Sequence, residues 1–210
     1  DVVRSRGLGD VYKRQMVAPL LVGKDMSNIP ELLLTLQKSL HLFGRYGITM
    51  FAISGVEIAL WDALGKEKNK PIHELLGKKN KDLFKAYSSL FRYGDPKIIE
   101  QKCKQSLDDG YQAIKLHEIE NDCIEAGRKG TGNLPLMLDT NCPWTYEETL
   151  SKKDFLKSMK LTWLEEPIYP PEDYETLSKL NTDHGIPLAC GENASTCLLY
   201  TSPSPRDRTT

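Results

Sequence analysis

The sequence predicts an α/β fold, a partial (β/α)8 barrel of the TIM type that contains strands one to five. Two observations predict it. After residue 80, short apolar stretches recur about every 25 residues with helical stretches between them, which is the pattern of parallel βα units. Three of the last four apolar stretches also carry a carboxylate at or near their end, at spacings of 26 and 27 residues: Asp139, Glu165 and Glu192. Even spacing of this kind brings side chains into one barrel mouth.

An open, doubly wound sheet would show the same alternation of strands and helices. We favour a barrel because no GxGxxG motif follows the first strand, and because the acids follow three different strands instead of one switch point. Five units of about 25 residues extrapolate to about 200 residues for eight, within the range of such a barrel. Five strands therefore make an incomplete barrel, and their predicted segments are LFKAYSSL, AIKLHE, PLMLDTN, LTWLEEP and IPLACGEN.

The part of the chain before residue 80 is predicted to be helical. Asn28 offers a cap and Pro30 an early proline, and apolar residues follow at helical spacing: Leu32, Leu33, Leu36, Leu40 and Phe43. A second helix is expected from about Met50 to Lys66, apolar on enough of its surface to be buried between other elements. Gly65 and then Pro71 are expected to end it.

Segments near the two ends of the chain can be encoded by opposite strands of the same DNA sequence. Residues 9–15 (GDVYKRQ) can be encoded by a DNA sequence whose opposite strand, read one base along, encodes CLLYTSP, which stands at residues 197–203. We interpret residues 1–15 and 197–210 as non-native, adapter-like segments. The interior then divides into a helical part at residues 16–80 and a barrel part at residues 81–196, truncated after strand five, and we expect this piece to be inactive by itself.

The composition predicts an ordinary globular protein of the cytoplasm. The chain is 40% hydrophobic and 27% charged, with a net charge of -1. It has no basic stripe with interleaved aromatic residues, so nucleic acid is not an expected partner. No apolar run approaches the ~20 residues that a membrane span needs. Four cysteines outside the C-terminal segment show no CxxC pairing, as expected of reduced thiols: Cys103, Cys123, Cys142 and Cys190.

The second predicted strand carries the residues best suited to proton transfer. Lys115 and His117 stand at positions i and i+2, so both face the barrel interior while Leu116 faces the helices. A dication and a neighbouring basic group disfavour the charged forms of both side chains, which would lower each pKa toward neutrality. The alternatives are a lysine that extends to solvent from a strand end and a histidine that is a satisfied core residue.

The three carboxylates also have other interpretations. Asp139 can be a turn or cap residue, Glu165 a charged strand end, and Glu192 the cap of the next helix. Their joint spacing favours a metal site, and hard oxygen ligands suit Mg²⁺ or Mn²⁺ better than zinc. Strand alternation places Glu165 on the face of Trp163 and turns Glu166 the other way.

The interior of the chain resembles the enolase superfamily, in its mandelate racemase and muconate-lactonizing branch. The resemblance rests on SGVEIALWDALGK and PIHELLGK, then on IKLH, LDTN, WLEEP and a strand ending in GEN, in that order. It implies that residues 16–80 are the helical end of an α+β capping domain. It also implies Mg²⁺ held by Asp139, Glu165 and Glu192. Asn141, Glu166 and Asn193 are further candidates for contact with the substrate or with the metal ligands.

The resemblance implies abstraction of the proton next to a carboxylate, giving an enediolate that a fixed dication stabilises. The superfamily uses a Lys or His base with Mg²⁺. Its common motif in this strand is Lys-x-Lys, with the second member as base, whereas this sequence has His117 there. The expected protein is an acid-sugar dehydratase and a homo-oligomer that acts on a small carboxylate. The alternatives are a racemase, an epimerase or a cycloisomerase, and a non-catalytic barrel.

Overall fold

The computed structural model describes residues 11–78 and 83–194. They fall into two compact units, and the second unit is Leu83–Ala194. The domain boundary predicted near residue 80 lies between the two described ranges. Residues 1–10 and 195–210 lie outside them, so most of both adapter-like segments cannot be compared with the prediction. Residues 11–15 are described, and they begin the first helical segment.

The first unit is helical, as the sequence predicts. Tyr12 belongs to this unit through a hydrogen bond of 3.2 Å between its hydroxyl and that of Thr49. Within residues 11–78, a short π-helical segment leads into four α-helices and one 3-10 turn. Their bounds are Lys13–Val17 (π), α1 Ala18–Leu21, α2 Ile29–Ser39, the 3-10 turn His41–Phe43, α3 Ile48–Lys68 and α4 Ile72–Leu76.

Helix α2 begins where the sequence signal predicts. The Asn28 side chain accepts a hydrogen bond from the Glu31 N–H, and a proline stands in the first turn. Its inner face is buried against α3 through Leu33, Leu36 and Leu40. Phe43 was expected on the same apolar stripe, but it is exposed, because the helix ends at Ser39 and Phe43 belongs to the 3-10 turn that follows.

Helix α3 ends later than predicted. Gly65 lies inside the helix, and Asn69 ends it in the left-handed conformation (φ 51°), which Asn tolerates better than most residues. A side chain at Gly65 would approach the Lys70 carbonyl oxygen to 3.0 Å. The glycine therefore lets the backbone at Lys70 pack closely against the helix, and it does not end the helix.

Helix α3 is also less buried than predicted. Phe51 is 74% exposed and Ile58 is 66% exposed, because the described residues pack against only one side of the helix. With 21 residues it is long and apolar enough to cross a membrane by length and composition, contrary to the expectation that no apolar run approaches that length. One such helix is weak evidence for a membrane span, since core helices meet the same criteria.

The second unit confirms the predicted α/β class. Its described strands form one sheet in the order β1-β2-β3-β4-β5, and each pair of neighbours is parallel. The strands are β1 Ser88–Ser89, β2 Ile114–Leu116, β3 Leu136–Asp139, β4 Trp163–Glu165 and β5 Leu188–Ala189. The helices are α5 Pro96–Asp108, α6 Asn121–Thr131, α7 Tyr146–Ser151, α8 Lys153–Ser158 and α9 Tyr174–Thr182.

The segment between β3 and β4 forms two short helices, α7 and α8. A capping box starts α7, in which Thr145 and Glu148 exchange side-chain-to-backbone hydrogen bonds. Lys152 then leaves the helical region (φ −89°, ψ 0°), and its N–H reaches both the Glu148 and the Thr149 carbonyl oxygens. The second helix starts again at Lys153.

Apolar side chains between the sheet and the helices form the core of the second unit. Ile114, Leu116, Leu136, Leu138 and Leu164 alternate with the residues that point to the other face, and all five are buried. Leu116 lies so close to α6 that a Cβ at Gly127 would overlap its Cδ1. The helix-facing position predicted for Leu116 is therefore observed, which leaves its neighbours Lys115 and His117 on the opposite face.

Candidate active site

The three carboxylates predicted from spacing lie together at the carboxyl ends of the strands. Asp139 is the last residue of β3, and Glu165, the last of β4, is its partner in the parallel register. Glu192 follows three residues after Ala189, the partner of Glu165 in β5. One oxygen from each carboxylate lies within 4.8 Å of one oxygen from each of the others.

The burial of the three carboxylates differs. Asp139 is buried, Glu165 is partly buried and Glu192 is exposed as a residue. Partial desolvation of the Glu192 carboxyl group, together with the nearby charges of Asp139, Glu166 and Glu165, raises its pKa. The cluster is therefore electrostatically unfavourable unless positive charge lies close to it.

Lys115 supplies part of that positive charge. Its Nζ donates to Asp139 Oδ2 at 2.9 Å and to Glu165 Oε1 at 3.0 Å, and the residue is buried. Burial alone would lower the pKa of the ammonium, but the hydrogen bonds to Asp139 and Glu165 outweigh it and raise the pKa. The sequence argument expected a lowered pKa for Lys115. That expectation assumed a dication beside the ammonium, and it stays a prediction.

The two ring nitrogens of His117 contact different groups. Nδ1 lies 2.5 Å from the Leu90 carbonyl oxygen, and Nε2 lies 3.3 Å from Asp139 Oδ2. A carbonyl oxygen only accepts hydrogen bonds, so Nδ1 carries a proton. The nitrogen that can take up a proton is consequently Nε2, which points toward the carboxylates.

Of the three further candidates, Asn141 joins the cluster most directly. Its side-chain amide donates to Asp139 Oδ1 at 2.9 Å, and its backbone N–H donates to the same oxygen at 3.2 Å. These bonds fix the orientation of the Asp139 carboxylate. Asn193 is exposed, and its side chain makes no hydrogen bond to any residue in the ranges described above.

Glu166 turns away from Glu165, as strand alternation predicts. It is 1% exposed, its Oε1 accepts the Gly191 N–H at 2.7 Å, and its Oε2 accepts from the Cys142 thiol at 3.6 Å. Trp163 lies on the face of Glu165, and its Nε1 donates to Glu165 Oε2 at 2.9 Å. Glu166 thus ties the end of β4 to the segment that leads to Glu192.

Two residues that the sequence analysis did not single out hold the ends of the strands together. Arg92 donates from Nε to the His117 carbonyl oxygen at 2.5 Å and from Nη2 to the Thr140 carbonyl oxygen at 2.8 Å. Glu118 is buried and accepts the backbone N–H of Tyr93 at 2.7 Å. Arg92 is a charged residue two positions after the predicted segment LFKAYSSL, and Glu118 is the charged last residue of AIKLHE. A charge at such a strand end is the signal that could have identified them.

A pocket of about 400 Å³ lies beside the imidazole. Its lining residues come from the end of β1, from His117 and from the turn after β3: Ser89, Leu90, Phe91, Arg92, His117 and Asn141. The His117 imidazole is therefore next to space that a small molecule can enter.

The cluster has the donors of a divalent-cation site. Three carboxylates face a single ammonium, so the group of four carries a formal charge of −2 that a dication would balance. Carboxylate oxygens are the ligands that Mg²⁺, Ca²⁺ and Mn²⁺ prefer. Asp139, Glu165 and Glu192 are the residues that could hold such an ion.

Comparison with known families covers both units. Residues 9–77 match the mandelate racemase/muconate lactonizing enzyme N-terminal domain, and residues 99–200 match the enolase C-terminal domain-like family. The first match spans helix α3, and the second contains the three carboxylates.

Known proteins with similar sequences include enzymes of two kinds. The chain is 32% identical over 193 residues to the arabinonate dehydratase of Saccharolobus solfataricus. The aligned region covers 87% of this chain and 51% of the dehydratase. It is 28% identical over 182 residues to the D-galactarolactone cycloisomerase of Agrobacterium fabrum, covering 82% of this chain and 48% of the cycloisomerase. The chain thus spans about half the length of the curated relatives it matches.

The fold is also found in a solved structure that contains a metal. A racemase from Streptomyces coelicolor with bound magnesium superimposes with a TM-score of 0.75 at 27% identity, over 89% of this chain and 54% of the racemase. Both domain matches, the two relatives and this structure agree with the resemblance found in the sequence. The chain belongs to the mandelate racemase/muconate lactonizing branch of the enolase superfamily.

Proposed function

We propose that the protein carrying this chain removes the proton next to the carboxylate of a small acid, and that it is an acid-sugar dehydratase. One observation carries the proposal: His117 Nε2 lies 3.3 Å from Asp139, within the same group of side chains as Glu165 and Lys115. A basic nitrogen and a cluster of metal-type ligands in one mouth are what the removal of a weakly acidic C–H proton requires.

Asp139, Glu165 and Glu192 are proposed to hold Mg²⁺, with Mn²⁺ as a second possibility. Bound there, the ion would supply positive charge to the two carboxylate oxygens of the deprotonated substrate. The orientation of Asp139 is fixed by Asn141, and Glu166 holds the segment before Glu192. These contacts support a preformed site, because neighbouring hydrogen bonds orient ligand side chains.

His117 is proposed to be the general base, acting through Nε2. The Leu90 carbonyl keeps the proton on Nδ1, so Nε2 has the free electron pair in the neutral ring. When Nε2 takes the proton, the imidazolium lies 3.3 Å from the Asp139 carboxylate.

Lys115 is proposed to act as a fixed cation. It has no hydrogen bond to His117 among the described side chains, and instead bridges Asp139 and Glu165. Two roles are open to Lys115: to orient the substrate carboxylate or to set the protonation state of His117. Its position between Asp139 and Glu165 favours the role of orienting the substrate carboxylate. Lys115 also holds these two side chains in place.

Loss of a β-hydroxyl from the deprotonated acid completes a dehydration. The arabinonate dehydratase relative favours this outcome for the present chain. The cycloisomerase relative and the racemase structure make cycloisomerisation, racemisation or epimerisation the second candidate, because all of them begin by removing the same kind of proton. A non-catalytic barrel is not favoured, because the base and all three carboxylates are present together.

Several properties of the whole protein belong to the same proposal. We propose residues 16–80 as part of the capping domain and residues 81–196 as barrel, a small carboxylate as substrate, a cytoplasmic location and a homo-oligomer. The described cysteines Cys103, Cys123, Cys142 and Cys190 are free thiols, which supports a reducing location. The domain match that spans helix α3 supports a place for this helix in the capping domain instead of a membrane.

Product analysis tests the proposed function. The protein is incubated with Mg²⁺ and a panel of sugar monoacids and diacids in deuterated water, and the acids are followed by proton NMR. A dehydratase gives a keto-deoxy acid from at least one of them, whereas an epimerase gives exchange at the α-carbon with the hydroxyl groups retained. The absence of both product and α-proton exchange, for every acid in the panel, would contradict the proposal.

A further inference from the structure

The guanidinium of Arg92 is held rigidly at the edge of the pocket beside His117. Its Nε and Nη2 donate to the carbonyl oxygens of His117 and Thr140, and Nη2 also lies 3.4 Å from Asn141 Oδ1. Two backbone acceptors from the ends of β2 and β3 thus fix the plane of the group. A side chain that is already ordered loses little entropy when it binds a ligand.

Part of this guanidinium is left for a ligand. Arg92 is exposed, and Nη1 donates no hydrogen bond to any residue in the described ranges. Both Nη1 protons are therefore available to an acceptor from outside the chain. Arginine stays charged at every physiological pH, so an anionic oxygen is its strongest partner.

The pocket itself suits an anion. Its lining in the described structure contains Arg92 and His117 but no carboxylate. The acids of the metal cluster, Asp139, Glu165 and Glu192, are outside this lining, and the other nearby cation, Lys115, is already bonded to two of them. A second anionic group on a substrate is consequently attracted toward Arg92.

The pocket also continues from the reacting position. His117 is one of its walls, and Nε2 of the same ring points to the carboxylate cluster. An acid whose α-carbon lies at Nε2 places its first carboxylate at the cluster. The rest of its carbon chain then needs space, and the described residues provide space beside Arg92.

We propose that Arg92 binds a second carboxylate at the far end of the substrate, so that the protein prefers sugar diacids to sugar monoacids. This inference rests on the proposed function, since it uses His117 as the base and the carboxylate cluster as the place of the first carboxylate. It adds the substrate class. Arg92 is a specificity residue in this account and takes no part in the proton transfer.

The test compares a sugar diacid with the monoacid that has the same hydroxyl configuration. Binding of each to the Mg²⁺-loaded protein is measured by calorimetry, and α-proton exchange of each is measured in deuterated water. The wild type should bind the diacid at least about tenfold more tightly than the monoacid. Arg92→Gln should weaken diacid binding about 10-fold to 100-fold, the range for one hydrogen bond to a charged group. Monoacid affinity should change less than about threefold, within the effect of a neutral contact.

A matched control removes the same charge elsewhere. Arg45 is exposed and has no hydrogen-bond or ion-pair partner among the described residues, so Arg45→Gln should leave both affinities unchanged. Arg92→Lys keeps the charge but not the fork geometry, and should retain part of the diacid preference.

The outcomes separate this inference from the proposed function. Exchange of both acids without a diacid preference, or an equal loss for both acids in Arg92→Gln, would overturn the inference and leave the proposed function intact. An equal loss would mean that Arg92 only holds the His117 and Thr140 carbonyls. Tight, Arg92-dependent binding of the diacid without any exchange would support the inference and contradict the proposed base chemistry.

Discussion

His117 Nε2 lies 3.3 Å from Asp139 Oδ2, so the proposed base and a proposed metal ligand meet directly. The relationship follows from two strands of the sheet. His117 comes immediately after β2, and Asp139 is the last residue of the neighbouring strand β3, whose register pairs Leu116 with Leu138. Side chains that follow register partners on the same face reach the same point at the end of a parallel sheet.

Removal of the Asp139 charge should abolish tight metal binding without unfolding the protein. Asp139→Asn keeps the size of the side chain but removes one of three ligand charges and places an amide beside Lys115. We expect affinity for Mn²⁺, measured by electron paramagnetic resonance, to fall about 100-fold or more, since even indirect changes around metal sites cost 10–100-fold.

The control for this variant is Asp62→Asn, which removes the same charge from an exposed pair with Lys66 in helix α3. It should bind Mn²⁺ as the wild type does. Thermal melting of both variants checks the fold. Wild-type Mn²⁺ affinity in folded Asp139→Asn would place the metal elsewhere.

His117→Asn should remove the base while keeping the polar contact at this position. We expect α-proton exchange of an accepted acid to fall by about 10²-fold or more, the usual contribution of a general base. The matched control is His184→Asn, because His184 bonds to the Tyr146 hydroxyl and has no described bond to the carboxylate cluster. Exchange that persists at the wild-type rate in His117→Asn would assign the base to another residue.

The thiol of Cys142 should resist alkylation over an unusually wide pH range. Burial, followed by the charge and hydrogen bond of Glu166, raises its pKa from 9.0 to about 11. Only the thiolate reacts, and its fraction at pH 8 is then about 100-fold lower than for an unshifted cysteine. In metal-free protein, mass spectrometry should show the Cys142 rate rising about tenfold per pH unit well past pH 9.

The same measurement in urea gives the reference. There the Cys142 rate should level off near pH 9, since the neighbours are lost on unfolding. A folded-state profile that also levels off near pH 9 would mean that the thiol is neither buried nor beside Glu166 as described.

A methyl group at Gly130 should destabilise the second unit. A Cβ there would lie 2.7 Å from the Cβ of Cys103 and 2.8 Å from the Glu100 carbonyl oxygen, so helices α5 and α6 would have to move apart. Gly130→Ala should lower the free energy of unfolding by about 1–3 kcal/mol, as for other overpacked sites. Urea denaturation measures it.

Gly77→Ala provides the comparison, because a Cβ at Gly77 meets no atom within 4 Å. It should change the free energy of unfolding by less than about 0.5 kcal/mol. Equal stability of the two variants would show that α5 and α6 are not packed as closely as described.

Much of the fold was predictable because its signals are local. The Asn28 cap and the five apolar strands were each predicted within a few residues, and the even spacing of carboxylates follows from the length of one βα unit. The spacing also predicted that Asp139, Glu165 and Glu192 would meet, which the structure shows, while their metal binding remains a proposal.

Other features depend on atoms that are distant in sequence. Arg92 was missed because its partners are backbone carbonyl oxygens, which no pattern of residue types reveals. The raised pKa of Lys115 comes from two carboxylates on other strands. Helix α3 continues past Gly65 and ends at Asn69. The glycine is there because a side chain would crowd the Lys70 carbonyl oxygen, which is a tertiary constraint and not a helix-ending signal.

The most direct test of the central claim is the metal dependence of α-proton exchange. An acid that the protein accepts is incubated in deuterated water, first with excess chelator and then with Mg²⁺ restored, and deuterium at the α-carbon is followed by NMR. We predict no enzymatic exchange in chelator, full exchange after Mg²⁺ is added, and loss of the Mg²⁺-restored exchange in Asp139→Asn. Exchange at an equal rate in excess chelator would contradict the account.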